Sequence, residues 1–558
     1  MRRSRHCVLT AVLLTIPLLA AQAAEAPRNF AITHATVVSS PGSSLEDATI
    51  VLRDGLIVSI EPSGSVPADT VEIDGTDRWI YAGLIDAESD LQTGGSDSGR
   101  ADGPGARGFG GQQPQTPAGA SHEVALIHPE QNAADKLRPF AGETKRSMEK
   151  IRDLGFTAVL AVPADGILRG TSAAILLSAD QPVAKILLDA NVALHASFQR
   201  GGFGAGYPSS LMGSIAALRQ ALLDAQRHGV WVERYQAAPS GMPRPERHAA
   251  FDALLPALAG KTSVIFHTSS PHDTLAADRI GREFDLDVVV STSSYEAEYG
   301  DALAAAGRTL IVSTGFPDKP KVDKVEEALG VDRRTMRRYL DAPAGPARLH
   351  EAGVRFALST QGLDNKGSFH KQMIKIVEAG LPADVALAAL TTVPAELLGI
   401  DRVVGTLAAG KIANLIVTDG PLFAEDTKVR EVFVDGRRHE LETKDKPKGD
   451  PDAVVDPRGT WSVTFQFGPR TIEREWIIEG GEGAYTGTAE TREDTVEFES
   501  IELAGNVLTV VLPGSGGRPA TEITAIVEGD SFAATAEMGP RTVEMTGTRV
   551  SGPDGGAR

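Results

Sequence analysis

The sequence predicts an α/β chain built from a (β/α)8 TIM-like barrel, a β-sandwich formed by both flanks of that barrel, and a C-terminal all-β antiparallel barrel or sandwich. Three observations predict it. Residues 145–400 alternate apolar strands with amphipathic helices, residues 29–80 and 403–441 read as short strands with hairpin turns, and residues 459–550 are almost wholly alternating strand. At 558 residues, 42% hydrophobic and 23% charged, the chain has ordinary globular composition and length for two or three domains. That excludes a wholly disordered chain.

The first residues place Arg2, Arg3 and Arg5 before an apolar run from Cys7 to Ala20, followed by Ala21-Gln22-Ala23. Residues 1–23 therefore read as a Sec-type signal peptide, too short for a membrane anchor. A cut after Ala26 would leave Pro27 first, so cleavage after Ala23 is expected, with the mature chain periplasmic or secreted. Cys7 is the one cysteine and leaves with the signal peptide. Cysteine nucleophiles and zinc-thiolate sites are then excluded, and stability has to come from the core. Cleavage removes three arginines and no acid, taking the formal charge from −19 to −22, which repels phosphate backbones. No second apolar run approaches the ~18 residues of a span, so neither a nucleic-acid partner nor a membrane anchor is expected.

Within 29–80, "FAITHATVV", "ATIVLRD", "GLIVSIEP" and "DTVEIDG" alternate, and Asp-Gly at 54–55 and 74–75 signals hairpins. Residues 81–402 carry the barrel. Its strands include "GFTAVLAVP" at 155–163 and "KTSVIFHTSS" at 261–270, then "DVVVSTS", "TLIVSTGFP" and "VRFALSTQG", with helical stretches between. Repeated strand-helix units argue for a parallel sheet, closed as a barrel or open and doubly wound. Residues 403–441 return to short strands, which suits one β-unit made with 29–80. Residues 94–119 are a Gly/Pro/Gln-rich loop expected over the barrel mouth, and 442–458 are a linker by their Pro, Gly and charge content. Eight short strands fill 459–550, a segment rich in acids with no lysine or histidine. Catalysis is not expected there; a docking or ligand-binding module and a stabilising appendage are equally open.

At "DATIVLRDGLIVSIEPSG", "IDGTDRWIYAGLIDAESDL", "VIFHTSSPHDTLAADRIGREF", "GVRFALSTQG", "ALTTVPAELLGI" and "VGTLAAGKIANLIV" the sequence resembles the amidohydrolase superfamily, across residues 29–441. The resemblance implies hydrolysis of a non-peptide C–N bond, amide or cyclic amide, by Zn2+ or a similar divalent metal. It implies metal ligands at the C-terminal ends of the strands: a His-x-His pair on the first, a carboxylated lysine or glutamate midway, histidines on the fifth and sixth, and an aspartate on the eighth. The metal acidifies a bound water, and the aspartate takes its proton.

Carried over residue by residue, Glu88 and Asp90 stand where the first-strand histidines belong. No lysine lies between Lys185 and Lys261, so Glu233 of "WVERY" is the candidate for the midway ligand. His267 matches the fifth-strand histidine. Ser291, Thr292 and Ser293 occupy the end of the sixth strand, and Gln361 replaces the general-base aspartate. A metal centre this degenerate implies weak metal binding or none and leaves the cofactor unknown. "YPSSLMGSIAALRQALLDA" at 207–225 and "GILRGTSAAILLS" at 166–178 resemble the first module of exported two-module amidohydrolase-like proteins. That likeness implies a partner, either an intact amidohydrolase paralogue or a second copy of this chain.

Several residues keep more than one reading. By the strand period of two, Asp86, Glu88 and Asp90 share a face and either attract a hard cation such as Ca2+ or Mg2+ or pair within the protein. His267 is a ligand, a pocket residue or a hydrogen-bonded interior histidine. Asp364 and His370, after the eighth strand, either line the barrel mouth with Asp86 or belong to the polar side of a loop and helix. No catalytic triad follows from spacing, because triads are defined by geometry. "GGFGAG" at 201–206 lacks the lysine of a phosphate loop. Two functions stay open: a hydrolase with a remodelled site, or a catalytically inactive ligand-binding or partner-supporting module.

Overall fold

The computed structural model describes residues 28–552 except 90, 92–121, 202–206, 293–294, 318, 321, 323–324, 364, 442–448, 451–452, 468–469, 482–483, 491–494, 514–520 and 539–540. The expected signal peptide, the 94–119 loop and the glycines of 202–206 lie outside the described residues, as do Asp90, Ser293 and Asp364. The chain divides into two compact units, Met1–Glu442 and Thr443–Arg558.

The first unit opens with β1 (Phe30–Ser40), β2 (Ser43–Arg53), β3 (Leu56–Pro62), β4 (Val71–Asp74) and β5 (Trp79–Ala82). Asp54 and Gly55 both take positive φ, 50° and 86°, and turn β2 into β3 as an Asp-Gly hairpin does. Asp74-Gly75 turns no hairpin, which corrects the second of those expectations. Both β4 and β5 pair in parallel with β1, at Phe30–Thr33 and then at Thr36–Val38. They are successive pieces of one run along the same strand. Gly75 between them lies so close to the Thr33 carbonyl that a Cβ would sit 2.7 Å from its oxygen.

The barrel wall follows in β6 (Leu84–Asp86), β7 (Phe156–Ala161), β8 (Leu168–Thr171), β9 (Ala173–Leu176), β10 (Leu187–Asp189), β11 (Ala193–Ser197), β12 (Ser263–His267), β13 (Val288–Thr292), β14 (Thr309–Ser313) and β15 (Phe356–Ser359). β6 pairs in parallel with β7, and β11 to β15 form a parallel run. Between these runs β9 pairs antiparallel with β7, and β8 antiparallel with β11. The all-parallel expectation is therefore corrected at one wall position. The connection explains it: residues 162–167 join β7 to β8, whereas a parallel crossover needs about a dozen residues. A short link leaves reversal as the available path.

The chain then adds β16 (Leu415–Thr418), β17 (Val429–Val434) and β18 (Arg437–Glu440). The antiparallel ladder of β16 on β5, Leu415 opposite Ala82, fuses both flanks of the barrel into one eight-stranded sheet in the order β18-β17-β16-β5-β1-β2-β3 with β4 on β1. Ile32, Ile50, Leu52 and Phe433 form its core, while Phe156, Phe266 and Phe369 belong to the barrel core.

The second unit is one antiparallel sheet of β19 (Gly459–Phe467), β20 (Arg470–Gly481), β21 (Ala484–Glu490), β22 (Thr495–Glu497), β23 (Ser500–Ala504), β24 (Val507–Leu512), β25 (Thr521–Glu528), β26 (Ser531–Met538) and β27 (Arg541–Ser551). The segment "DTVEFESIE", expected as one strand, breaks at Phe498-Glu499 into β22 and β23, which occupy opposite ends of the strand order. Only two residues join those ends, so the sheet must roll until its edges meet. Trp461, Trp476 and Phe532 fill its inside, the last two stacked with ring centroids 5.6 Å apart.

Candidate functional site

The first strand ends at Asp86, and this decides where its acids go. Asp86 is fully buried, and its Oδ1 accepts from the Glu88 amide at 3.3 Å and from the Thr360 amide at 3.1 Å. Its Oδ2 accepts from the Thr360 hydroxyl at 2.6 Å, while Ser359 Oγ donates to the Glu88 carbonyl at 2.5 Å. These bonds join the end of β6 to the end of β15. Asp86 therefore braces the wall instead of lining an open mouth. The turn after Asp86 also breaks the period of two, so Asp86 and Glu88 do not share a face. Burial pushes the Asp86 carboxyl up to about 7, against the pull of its bonds to Thr360.

Glu88, equally buried, turns toward the neighbouring strands. Its Oε1 lies 2.7 Å from His267 Nδ1, although the pair is not aligned as a hydrogen bond. On the other edge of the same imidazole, His267 Nε2 is hydrogen-bonded to His195 Nδ1 at 2.7 Å, one of the two nitrogens carrying the proton. His195, on β11, is fully buried; burial first, then the fields of His267 and Arg169, hold its pKa well below the usual histidine range. Glu88, His267 and His195 thus form a string. Three of its atoms lack a hydrogen-bond partner: Glu88 Oε2, His195 Nε2 and, between them, His267 Nδ1.

That order does not fit the metal the family resemblance implies. A structural or catalytic zinc needs three or four donors converging on one point. Here both nitrogens of His267 face protein neighbours on opposite ring edges, so Glu88 and His195 cannot meet it at a common ion. The other expected positions are spent as well: Ser291 Oγ donates to Gln361 Oε1 at 3.2 Å, and Thr292 Oγ1 donates to the Ile311 carbonyl. Among the described residues no three His, Cys, Asp or Glu side chains are placed to hold a metal.

Two more expectations are corrected. Glu233 lies on the exposed side of the helix Leu211–Ala237, not on a strand, so it offers no midway ligand. The apolar spacing around "WVERY" is that of a helix face. His370, on the helix Phe369–Glu378, bonds through Nε2 to the Leu154 carbonyl, just before β7. It is therefore at the N-terminal end of the strands, away from the mouth, and burial lowers its pKa.

Sequence reasoning missed His195 and Arg169. A single histidine inside the apolar run "VALHASF", and a single arginine between the glycines of "GILRG", were the available signals. Arg169 is the extra residue of a β-bulge: Gly170 pairs with His195 and Leu168 with Ala196, so Arg169 has no opposite number. Bulges re-aim side chains. Gly170 makes this one possible, with φ 103° and a Cβ position only 2.3 Å from the Gln131 carbonyl oxygen. Arg169 reaches a cavity of about 390 Å³ at the C-terminal ends of β11 and β12, lined also by Gln199, Arg200, His267, Ser269 and Asp273, with Phe198 and Leu211 as apolar wall.

With the geometry in hand, known proteins place the chain. The crystal structure of an amidohydrolase from Thermotoga maritima MSB8 superposes with a TM-score of 0.58 at 18% identity, covering 73% of this chain and 99% of that one; this likeness is of fold. Residues 340–439, which hold β15 to β17, match the model of the amidohydrolase family. Amidohydrolase tasK of Hapsidospora irregularis is 26% identical over 167 residues, 27% of this chain. The family match is thus confined to residues 340–439, within a unit that shares the amidohydrolase fold. The chain spans 17% of the length of that curated relative. A putative prolidase from Bifidobacterium longum matches at 18% identity over 74% of this chain and 94% of its own, with TM-score 0.43.

Proposed function

We propose that this chain is an exported member of the amidohydrolase superfamily, that it does not carry out the metal-assisted C–N hydrolysis its family suggests, and that its barrel mouth binds a small ligand. The observation that carries this reading is the string Glu88–His267–His195, which takes up both nitrogens of the one family-type histidine in protein contacts. Gln361 supports it, since an amide has no basic lone pair with which to take a proton from water. A remodelled hydrolase would have to use Asp273, the carboxylate in the cavity lining, since both His267 nitrogens lie against Glu88 and His195. The likeness of 166–178 and 207–225 to the first module of two-module proteins supports work beside an intact amidohydrolase.

Elemental analysis of the mature protein, purified without chelator, should find no stoichiometric transition metal, and a panel of cyclic amides and N-acyl amino acids should show no turnover. One or two metals per chain together with turnover would overturn the proposal. Isolation from its own cell under gentle conditions should bring an amidohydrolase with it; recovery of a lone monomer would remove the partner.

A further inference from the structure

The cavity beside His267 holds guanidinium groups that no described carboxylate meets at ion-pair distance, although Glu88 and Asp165 act on Arg169 from farther off. Arg169 is aimed into it by the bulge, and its one contact here is Nε to the Gly166 carbonyl at 3.3 Å. Among the described residues neither Arg169 nor Arg200 has a carboxylate at ion-pair distance. Gln199 is fixed as well: its Oε1 accepts from the Gly166 amide at 2.8 Å, which leaves its NH2 as the free donor end. The lining thus holds two guanidinium groups against one carboxylate, Asp273, one oxygen of which is occupied by the Ser269 hydroxyl at 3.0 Å.

We infer that this cavity binds the carboxylate of a small organic monoanion, with Arg169 and Arg200 as its charged contacts and Gln199 beside them. The lining residues alone carry a formal charge of +1, and the fields of Glu88 and Asp165 on Arg169 lower the net further, so a single negative charge is the most the site balances. A phosphate dianion would exceed it and meet Asp273. A planar carboxylate suits the fork of a guanidinium, and such charge-assisted bonds are stronger than neutral ones. Phe198 and Leu211 give the organic body of the ligand an apolar wall, and about 390 Å³ is within the ordinary range for small-molecule sites. The inference rests on the ligand-binding reading above and gives it a chemical class.

Titration calorimetry of the full chain with N-acetylglycine and N-acetyl-L-leucine, each against its primary amide, tests it. At least one acid should bind tenfold or more tightly than its amide, and raised salt should weaken only the acid. Arg169→Met should weaken the acid by about tenfold to a hundredfold, the range for a lost hydrogen bond to a charged group, and move the amide less than twofold. Arg200→Met, at an exposed position, repeats the test should Arg169→Met fold poorly. Acid and amide binding equally would overturn the carboxylate assignment and leave a neutral-ligand pocket. No binding by any probe would overturn it too, while the metal and turnover assays judge the parent reading independently.

Discussion

The two sides of the barrel mouth use polar residues in opposite ways. Where β6 meets β15, Asp86, Ser359 and Thr360 bond one another and the backbone across the seam, and all are fully buried. Across the mouth, where β8 begins and β11 and β12 end, Arg169 and Arg200 face a cavity with no ion-pair partner among the described residues. In the family pattern the first and eighth strands hold catalytic groups. Here Asp86, Ser359 and Thr360 tie those two strands together, and the unpaired guanidinium groups stand at the fourth and fifth wall positions. Buried polar groups stabilise when each is matched; a binding site needs some left unmatched.

The comparison breaks first at Asp86. Asp86→Ala would leave the Thr360 amide and hydroxyl buried without partners and open a void, an expected loss of about 2–4 kcal/mol in urea unfolding. A loss under about 1 kcal/mol would mean the seam is not a clamp. Next is the string: His267→Ala strands Glu88 and His195 inside the protein and should cost about 1–3 kcal/mol. No loss would place that histidine with the open side instead of the buried one.

A finer test uses pH. The folded Asp86 carboxyl titrates near 7 and the unfolded one near 3.8, so the folded state holds a proton that the unfolded state releases between these values. Its contribution is complete below about pH 4 and is lost as pH rises through 7. Asp86→Asn keeps a neutral side chain of the same shape, so the wild-type advantage over it should shrink between about pH 4 and 7. A constant difference would show that the carboxyl is not proton-bearing. The smallest expected effect is at Glu233, where Glu233→Gln on an exposed helix face should change stability by less than about 0.5 kcal/mol and leave ligand titrations unaltered.

Much of the architecture was legible in the residues. Alternation, the Asp54-Gly55 turn and strand-helix repeats marked the flanking sheet, the barrel and the all-β unit, and Glu88 and Gln361 set this chain apart from the family pattern that the resemblance implies. Local pattern failed where geometry depends on a connection or an ending. The strand parity joining Asp86 to Glu88 fails because the strand stops at Asp86. Glu233 looked like a strand residue because a short apolar run does not distinguish strand from helix.

By itself the sequence determined fold class, the split of the first β-unit and which chemical groups were present, since these follow from periodicity and composition over neighbouring residues. Tertiary structure alone decided the reversed strand in the wall, the bulge that turns Arg169 to the cavity, and the pairings of His195 with His267, 72 residues apart, and of Asp86 with Thr360, 274 apart. Contacts over such separations arise from how strands close on one another, and no local pattern encodes which side chains then meet.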